Sequence, residues 1–358
     1  MMKIEDLTRA NVKSLKPYSS ARDEFKAKAE VYLDANESPF ENGLNRYPDP
    51  YQKELKKVLA SIKNTDPECM VLGNGSDEIL DLIIRAFCEP GKDNVIIVPP
   101  TYGMYKVLAE TNGVEVKEVW LNEDFTLDVD RILAATDEQT KVLFLASPNN
   151  PTGNSFAEED VIRLLNEMNA LVVVDEAYIE FSDKESWVKQ IDNHVNLIVT
   201  QTLSKAYGMA GIRLGMALAQ KEVVDTLNKI KYPYNVSVLT QRYALDKLQQ
   251  KKQIEKQLKV ILNEKERLKK SFETFDFVEK VFQSDANFWL VRVRDADHLY
   301  RFLLERGVVV RNRSKEPLCE QTLRITVGTP DDNSRLLAVL AEYEKLNFEK
   351  IAIEKRKK

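Results

Sequence analysis

Between residues 94 and 202 short, unbroken apolar runs alternate with longer stretches whose apolar residues recur every three or four positions. Val95–Val98 is closed by Pro99-Pro100, Val142–Leu145 by Ser147-Pro148, Leu171–Val174 by Asp175, and Leu197–Thr200 ends just before Thr202. Continuous runs of this kind fit central strands of a parallel sheet covered on both faces. Between them, Ser76–Phe87 and Glu158–Met168 read as amphipathic helices. Ser76 with Asp77 and Glu78 gives the first of these a capping signature. Alternating strands and helices predict a doubly wound α/β domain.

The pattern changes near residue 240. From Gln241 to Phe275 the chain is charge-rich, with Leu248, Ile254, Leu258, Ile261, Leu262, Leu268 and Phe272 at helical spacing and no Pro or Gly between them. One helix of about 50 Å, at 1.5 Å per residue, would bridge two domains. Strand candidates Asn287–Val293 and Leu323–Val327 then flank a helical Asp297–Glu305, a smaller α+β domain. The resulting division is an arm over 1–33 joining the small domain, a large domain over 34–240, an interdomain helix over 241–275 and a small domain over 276–358.

Composition narrows the chemistry. The 358 residues carry a formal net charge of −5, so no basic excess points to nucleic acid or an anionic membrane. No apolar run approaches the roughly 18 residues that a spanning helix needs. Met1–Lys16 is charged throughout and has no signal-like core. Three widely spaced cysteines form neither a disulfide framework nor a zinc pattern, and the two histidines, His194 and His298, sit in no metal-ligand spacing. The expectation is a soluble cytoplasmic protein without a metal, whose chemistry runs on Lys, Asp, Tyr, Asn and Arg or on a cofactor.

In open α/β sheets ligands bind beyond the carboxyl ends of the strands, which directs attention to the polar residues that follow the apolar runs. Ser147–Gly153 (S-P-N-N-P-T-G) is a turn fixed by two prolines and a glycine, presenting Asn149 and Asn150. Taken alone it is as readily a simple turn as a site. Asp175 heads D-E-A-Y at the end of a buried run, where a carboxylate is costly unless it meets a cation or donors. A metal ligand or a helix cap would also suit it. A Walker-type reading fails because G-x-x-x-x-G-K-[ST] is absent. Lys205, in T-L-S-K after a strand and eight residues before Arg213, is either a solvated lysine or a Schiff-base lysine beside a phosphate site of hydroxyls and guanidinium. Gly73–Asp77 places a glycine turn before a helix N-terminus, which suits one phosphate but lacks the third glycine of a dinucleotide fingerprint.

Taken in order, G-N-G-S-D-E (73–78), P-P-T-Y (99–102), S-P-N-N-P-T-G, D-E-A-Y and T-L-S-K with the downstream arginine resemble the fold-type I aminotransferases over nearly the whole chain. D-A-N-E-S-P (34–39), N-R-Y-P (45–48) and L-R-I-T-V-G-T (323–329) look like the branch of that family that acts on histidinol phosphate. The resemblance implies a large domain with a mostly parallel mixed sheet sandwiched by helices, a smaller α+β domain, and pyridoxal 5′-phosphate as cofactor. On it, Lys205 holds the cofactor and moves the proton at the substrate Cα, and Asp175 pairs with the pyridine nitrogen. Asn149 and Tyr178 bind the ring's phenolic oxygen, and Tyr102 stacks on the ring face. Gly75, Ser76 and Asp77 with Thr202, Ser204 and Arg213 bind the phosphate. Tyr47 reaches the cofactor of a second subunit, which implies a homodimer. For the substrate, Arg324 clamps a carboxylate with help from Asn36, while Arg311 and Tyr18 help the same site accept both a carboxylate and a phosphate, with the division between the arginines left open. The implied reaction converts L-histidinol phosphate and 2-oxoglutarate to imidazole-acetol phosphate and L-glutamate, a step of histidine biosynthesis. An aromatic or aspartate aminotransferase, a threonine-phosphate decarboxylase and, more remotely, a non-catalytic regulator share the pattern.

Overall fold

The computed structural model describes residues 3–17 and 30–356, with side chains as far as residue 346. Seven strands form the larger sheet: β1 (Met70–Gly73), β2 (Asn94–Ile97), β3 (Glu115–Glu118), β4 (Thr140–Ala146), β5 (Leu171–Asp175), β6 (Leu197–Thr202) and β7 (Gly215–Ala219). Their order is β1-β7-β6-β5-β4-β2-β3. Pairing is parallel from β6 through β5, β4 and β2 to β3, and β7 runs antiparallel to both β6 and β1. The sheet is therefore mixed through one reversed strand. Residues 203–214, between β6 and β7, hold only one turn of 3-10 helix, too little for a parallel crossover.

The unbroken apolar runs are explained by two cores. Along β5, Val172 and Val174 enter one cluster with Leu143 and Leu145, while Leu171 and Val173 enter another with Val142 and Phe144. Because strand side chains alternate between faces, a strand covered on both sides has no position for a polar residue until it leaves the sheet. Asp175 and Thr202 are the last residues of their strands, so the sheet itself delivers polar groups to one edge.

A second sheet, ordered β10-β11-β9-β8, comprises β8 (Val278–Val281), β9 (Phe288–Val293), β10 (Arg311–Asn312) and β11 (Thr322–Thr326). Helices Lys251–Phe272, Ala296–Glu305 and Pro330–Arg356 cover it around Leu268, Trp289, Leu299, Ile325 and Leu340. Among the described residues, no helix is long and apolar enough to cross a membrane. The two units meet at the S-P-N-N-P-T-G turn: Asp285 N donates to Gly153 O (2.7 Å), and Asp285 Oδ2 accepts the Ser155 N–H (3.1 Å). Gly153 has φ +89°, and a Cβ there would lie 2.6 Å from Ser284 Oγ, so the seam requires glycine.

Three expectations need correction. The single 241–275 helix is two helices, Val238–Leu248 and Lys251–Phe272. The first buries Ala244 and Leu248 in the large core and the second buries Leu268 and Phe272 in the small one, so the chain changes direction at Gln249 and Gln250. The described part of the amino-terminal arm lies on the large unit instead of the small one. Ile4 and Leu7 join the large core, and Arg9 pairs with Glu89 at 3.1 Å. Finally, Ser76 does not cap its helix. The helix starts at Gly75 with Asn74 in the cap position, and the Glu78 carboxylate reaches back to the Asn74 backbone N–H.

One close approach locks β7 against that helix: a Cβ on Gly215 would lie 2.3 Å from Ser76 N. Gly215→Ala should lower stability by about 1–3 kcal/mol, because the backbone has to separate there. Denaturant unfolding reads this directly, and an unchanged midpoint would show that the approach is not tight.

Candidate active site

A cavity of about 450 Å³ opens where β4, β5 and β6 end. The amino end of the Gly75–Phe87 helix forms one end, with Ser76 and Asp77 on the wall, and Arg311, Arg313 and Arg324 of the small unit form the other. Lys205 and Tyr178 line the space between.

Asp175 closes the floor. It is only 4% exposed, and its Oδ2 accepts a 2.8 Å hydrogen bond from the Tyr105 hydroxyl. Tyr105 is itself held in place by stacking on Phe144, ring centroids 5.0 Å apart. The other carboxylate oxygen, Oδ1, is buried and makes no hydrogen bond of full geometry among the described residues, although the Thr200 hydroxyl and the Ala177 amide lie close enough to favour the charged form. Burial raises the Asp175 pKa, with the Tyr105 hydroxyl opposing. A buried carboxylate oxygen without a donor is expensive, and a protonated ring nitrogen is a group that would offset that cost.

At the helix end no side chain caps the first-turn amides, so their N–H groups remain to bind an anion. Arg213 sits over this end, its Nη2 3.5 Å from Asp77 Oδ2. A guanidinium beside the positive pole of a helix is repelled unless an anion lies between them. Arg213 also adopts a left-handed backbone, φ +52°, an unfavourable conformation for a non-glycine residue. Gly75 behind it has φ +76°, a left-handed backbone that favours glycine, and a Cβ there would crowd Arg213 Nη2 at 2.6 Å. Thr202 Oγ1 and Ser204 Oγ, 2.9 Å apart, complete the polar wall.

Lys205 opens into the cavity and makes no hydrogen bond or ion pair with the described residues; its Nζ lies 5.7 Å from the centre of the Tyr178 ring. Desolvation lowers its pKa, and the positive charges of Arg324 and Arg213 lower it further. Burial is the larger cause. Tyr178 packs edge-on against Phe288 at 5.3 Å, and burial raises its pKa. Tyr102 lies on the wall with its hydroxyl 3.0 Å from Asp77 Oδ1 and its ring edge-on to Tyr105.

At the far end Arg324 pairs in register with Arg311 across β10 and β11. Like charges directly opposite each other destabilise a strand pair, so this placement makes physical sense around an anion. Arg324 Nη1 donates to Asn150 Oδ1, while its Nε is buried without a partner. Burial, reinforced by the adjacent Arg313, holds the Arg324 pKa below its ordinary value.

Several expected residues stand elsewhere. Asn149 is fully buried and off the cavity wall, both amide hydrogens being taken by Pro100 O (2.8 Å) and Thr152 Oγ1 (2.7 Å). Its neighbour Asn150 lines the cavity instead. Asn36 and Tyr47 border a separate surface hollow, where the Tyr47 ring stacks on Tyr234 at 4.7 Å. Tyr18 lies outside the described residues. Beyond Asn150, the sequence reading missed Tyr105 and Arg313. Tyr105 had one signal, a second tyrosine three residues after Tyr102, in the first turn of the helix that follows it.

The profile described as aminotransferase class I and II matches residues 21–340. The chain belongs to this family. Curated aminotransferase relatives include the histidinol-phosphate aminotransferase of Flavobacterium johnsoniae, 54% identical over 96% of this chain and 99% of the relative. The Bacteroides fragilis protein of the same name is 49% identical over 96% of this chain and 100% of its own length. Among solved aminotransferases, the histidinol-phosphate aminotransferase of Clostridium acetobutylicum matches with a TM-score of 0.78 at 28% identity, covering 84% of this chain and 91% of that one. The Sinorhizobium meliloti histidinol-phosphate aminotransferase, solved in complex with pyridoxal-5′-phosphate, gives 0.76 at 25% identity, covering 84% and 83%. Membership of the aminotransferase family implies pyridoxal phosphate as cofactor, and the free Asp175 oxygen, the uncapped helix end and Lys205 fit that group.

Tyr105→Phe keeps the packing on Phe144 but removes the donor to Asp175. The expected result is a folded aminotransferase slowed about five- to tenfold, the equivalent of losing one hydrogen bond of about 1–1.5 kcal/mol. A rate within about twofold of the parent would show that the bond does not position the carboxylate.

Proposed function

We propose that the protein is a pyridoxal-phosphate-dependent transaminase that moves the amino group of L-histidinol phosphate to 2-oxoglutarate, giving imidazole-acetol phosphate and L-glutamate. One observation carries this reading: a lysine of lowered pKa lies between two anion-binding ends of one cavity, above a buried carboxylate with a free oxygen. Bound there, pyridoxal phosphate would supply an electron-accepting ring for the carbanion charge of the substrate.

The residues divide the work. The amides of Ser76 and Asp77, with Thr202, Ser204 and Arg213, hold the cofactor phosphate. Asp175 would hold the ring nitrogen and keep it protonated, and Tyr102 would cover the ring. Tyr178 and Asn150, in place of Asn149, bind the phenolic oxygen; Asn150 already bridges to Arg324. Lys205 holds the cofactor through its amine and then carries the proton to and from the substrate Cα, for which a lowered pKa is needed. Arg324 and Arg311 receive the anionic end of each substrate, a phosphate in one half of the reaction and a carboxylate in the other. The relatives named for histidinol phosphate favour that donor over a simple amino acid.

We also propose a homodimer in which Tyr47 serves the partner's cavity. Tyr47 is absent from the wall of its own cavity, and Leu44 (52% exposed), Tyr47 (52%) and Leu239 (61%) line one open surface hollow. A second copy of the chain would cover such a surface.

Lys205→Ala should abolish transamination, and the parent protein should show a visible cofactor band that borohydride removes. A colourless parent that does not react with borohydride despite added cofactor would overturn the reading. In a donor panel with 2-oxoglutarate, histidinol phosphate should form glutamate faster than phenylalanine or aspartate. Good phenylalanine turnover without histidinol phosphate turnover would move the assignment to an aromatic aminotransferase.

A further inference from the structure

Arg313 lines the cavity beside Arg311 and Arg324. Arg311 and Arg313 are two residues apart along an extended segment, so both project to one side. Asn312, between them, turns the other way and donates to Asp297 Oδ1 at 2.7 Å. The Arg313 backbone is fixed by donation to Thr322 O (2.9 Å), next to the β10–β11 pair that sets Arg311 opposite Arg324. Three guanidiniums therefore converge on one end of the cavity.

Their own counter-charges are few. Arg313 Nη1 meets Glu316 Oε1 at 3.1 Å, and Arg313 Nε is buried without a hydrogen-bond partner. Arg311 and Arg324 have no ion pair among the described residues. One fork of guanidinium already matches a carboxylate. A third arginine exceeds what a single carboxylate needs, whereas a phosphomonoester brings nearly two charges and three acceptor oxygens.

We propose that Arg313 is a third anion-binding residue of the substrate site, and that the Arg311, Arg313 and Arg324 cluster selects a phosphate dianion over a carboxylate. This deepens the substrate reading above, with Glu316 as the carboxylate that competes for Arg313.

The test uses the cofactor-loaded enzyme, in which the Arg213 end is filled, and inorganic phosphate and acetate as competitive inhibitors against whichever amino donor it accepts. Arg313→Gln should raise the phosphate inhibition constant about tenfold to a hundredfold, the scale of one charged hydrogen bond, and raise that of acetate much less. Arg313→Lys should restore part of the loss, because an ammonium binds phosphate as a point charge. Glu316→Gln should act in the opposite direction and tighten phosphate inhibition, which a merely structural role for the pair would not produce. An unchanged phosphate constant in Arg313→Gln, an equal loss for acetate, or weaker phosphate binding in Glu316→Gln overturns the proposal. None of these readouts requires turnover of histidinol phosphate, so the selectivity of the cluster and the identity of the donor fail separately.

Discussion

A carboxylate buried at the end of β5 with one oxygen unpartnered sets the terms for the rest of the site. Asp175 is delivered there by a strand whose preceding residues are divided between two apolar cores, so it cannot withdraw without unpacking the sheet. Tyr105 takes one oxygen, Phe144 holds Tyr105, and the second oxygen is buried without a hydrogen bond of full geometry in a residue that lines the cavity. Leaving a buried acceptor unmet costs on the order of 1–3 kcal/mol, more if it is charged. A sheet built to hold that group in place is accounted for by a cationic partner at the same point.

The positive charges follow the same logic at both ends of the cavity. Arg213 stands over a helix amino terminus, its charge met there by Asp77 at 3.5 Å, and Arg311 stands opposite Arg324 on adjacent strands. Each placement is unfavourable in isolation and becomes favourable when an anion is shared. Between them the Lys205 amine is held below its ordinary pKa by desolvation and by both arginine groups, the condition a nucleophilic and proton-carrying amine requires. Positioning, charge and nucleophile thus come from one arrangement of strand ends.

Much of the large unit was legible because its signals are local. The runs 95–98, 142–145, 171–174 and 197–200 fell inside β2, β4, β5 and β6 or within one residue of them, since a doubly covered strand leaves little alternative to continuous apolar residues. Asp175 ends β5, Tyr178 and Lys205 follow β5 and β6 at three residues, and Arg213 stands two residues before β7, so the strand pattern singles them out. What stayed hidden depends on contacts distant in sequence. Gln249 and Gln250 carry no breaker signal, and only the separate burial of Leu248 and Leu268 divides the helix. Asn149 and Asn150 are indistinguishable as letters, and the turn decides that one braces Pro100 while the other reaches Arg324. Arg313 joins the site only through the β10–β11 pairing. Tyr47 and Asn36 point to a surface that the isolated chain leaves open.

The pairing of Asp175 with the cofactor ring is tested most directly by nitrogen NMR of the enzyme loaded with pyridoxal phosphate labelled with nitrogen-15 in the ring. The parent enzyme should give the shift of a protonated pyridine nitrogen throughout neutral pH, and Asp175→Asn should give that of an unprotonated one. An unprotonated shift in the parent, or a protonated one that persists in Asp175→Asn, would contradict the role given to this carboxylate.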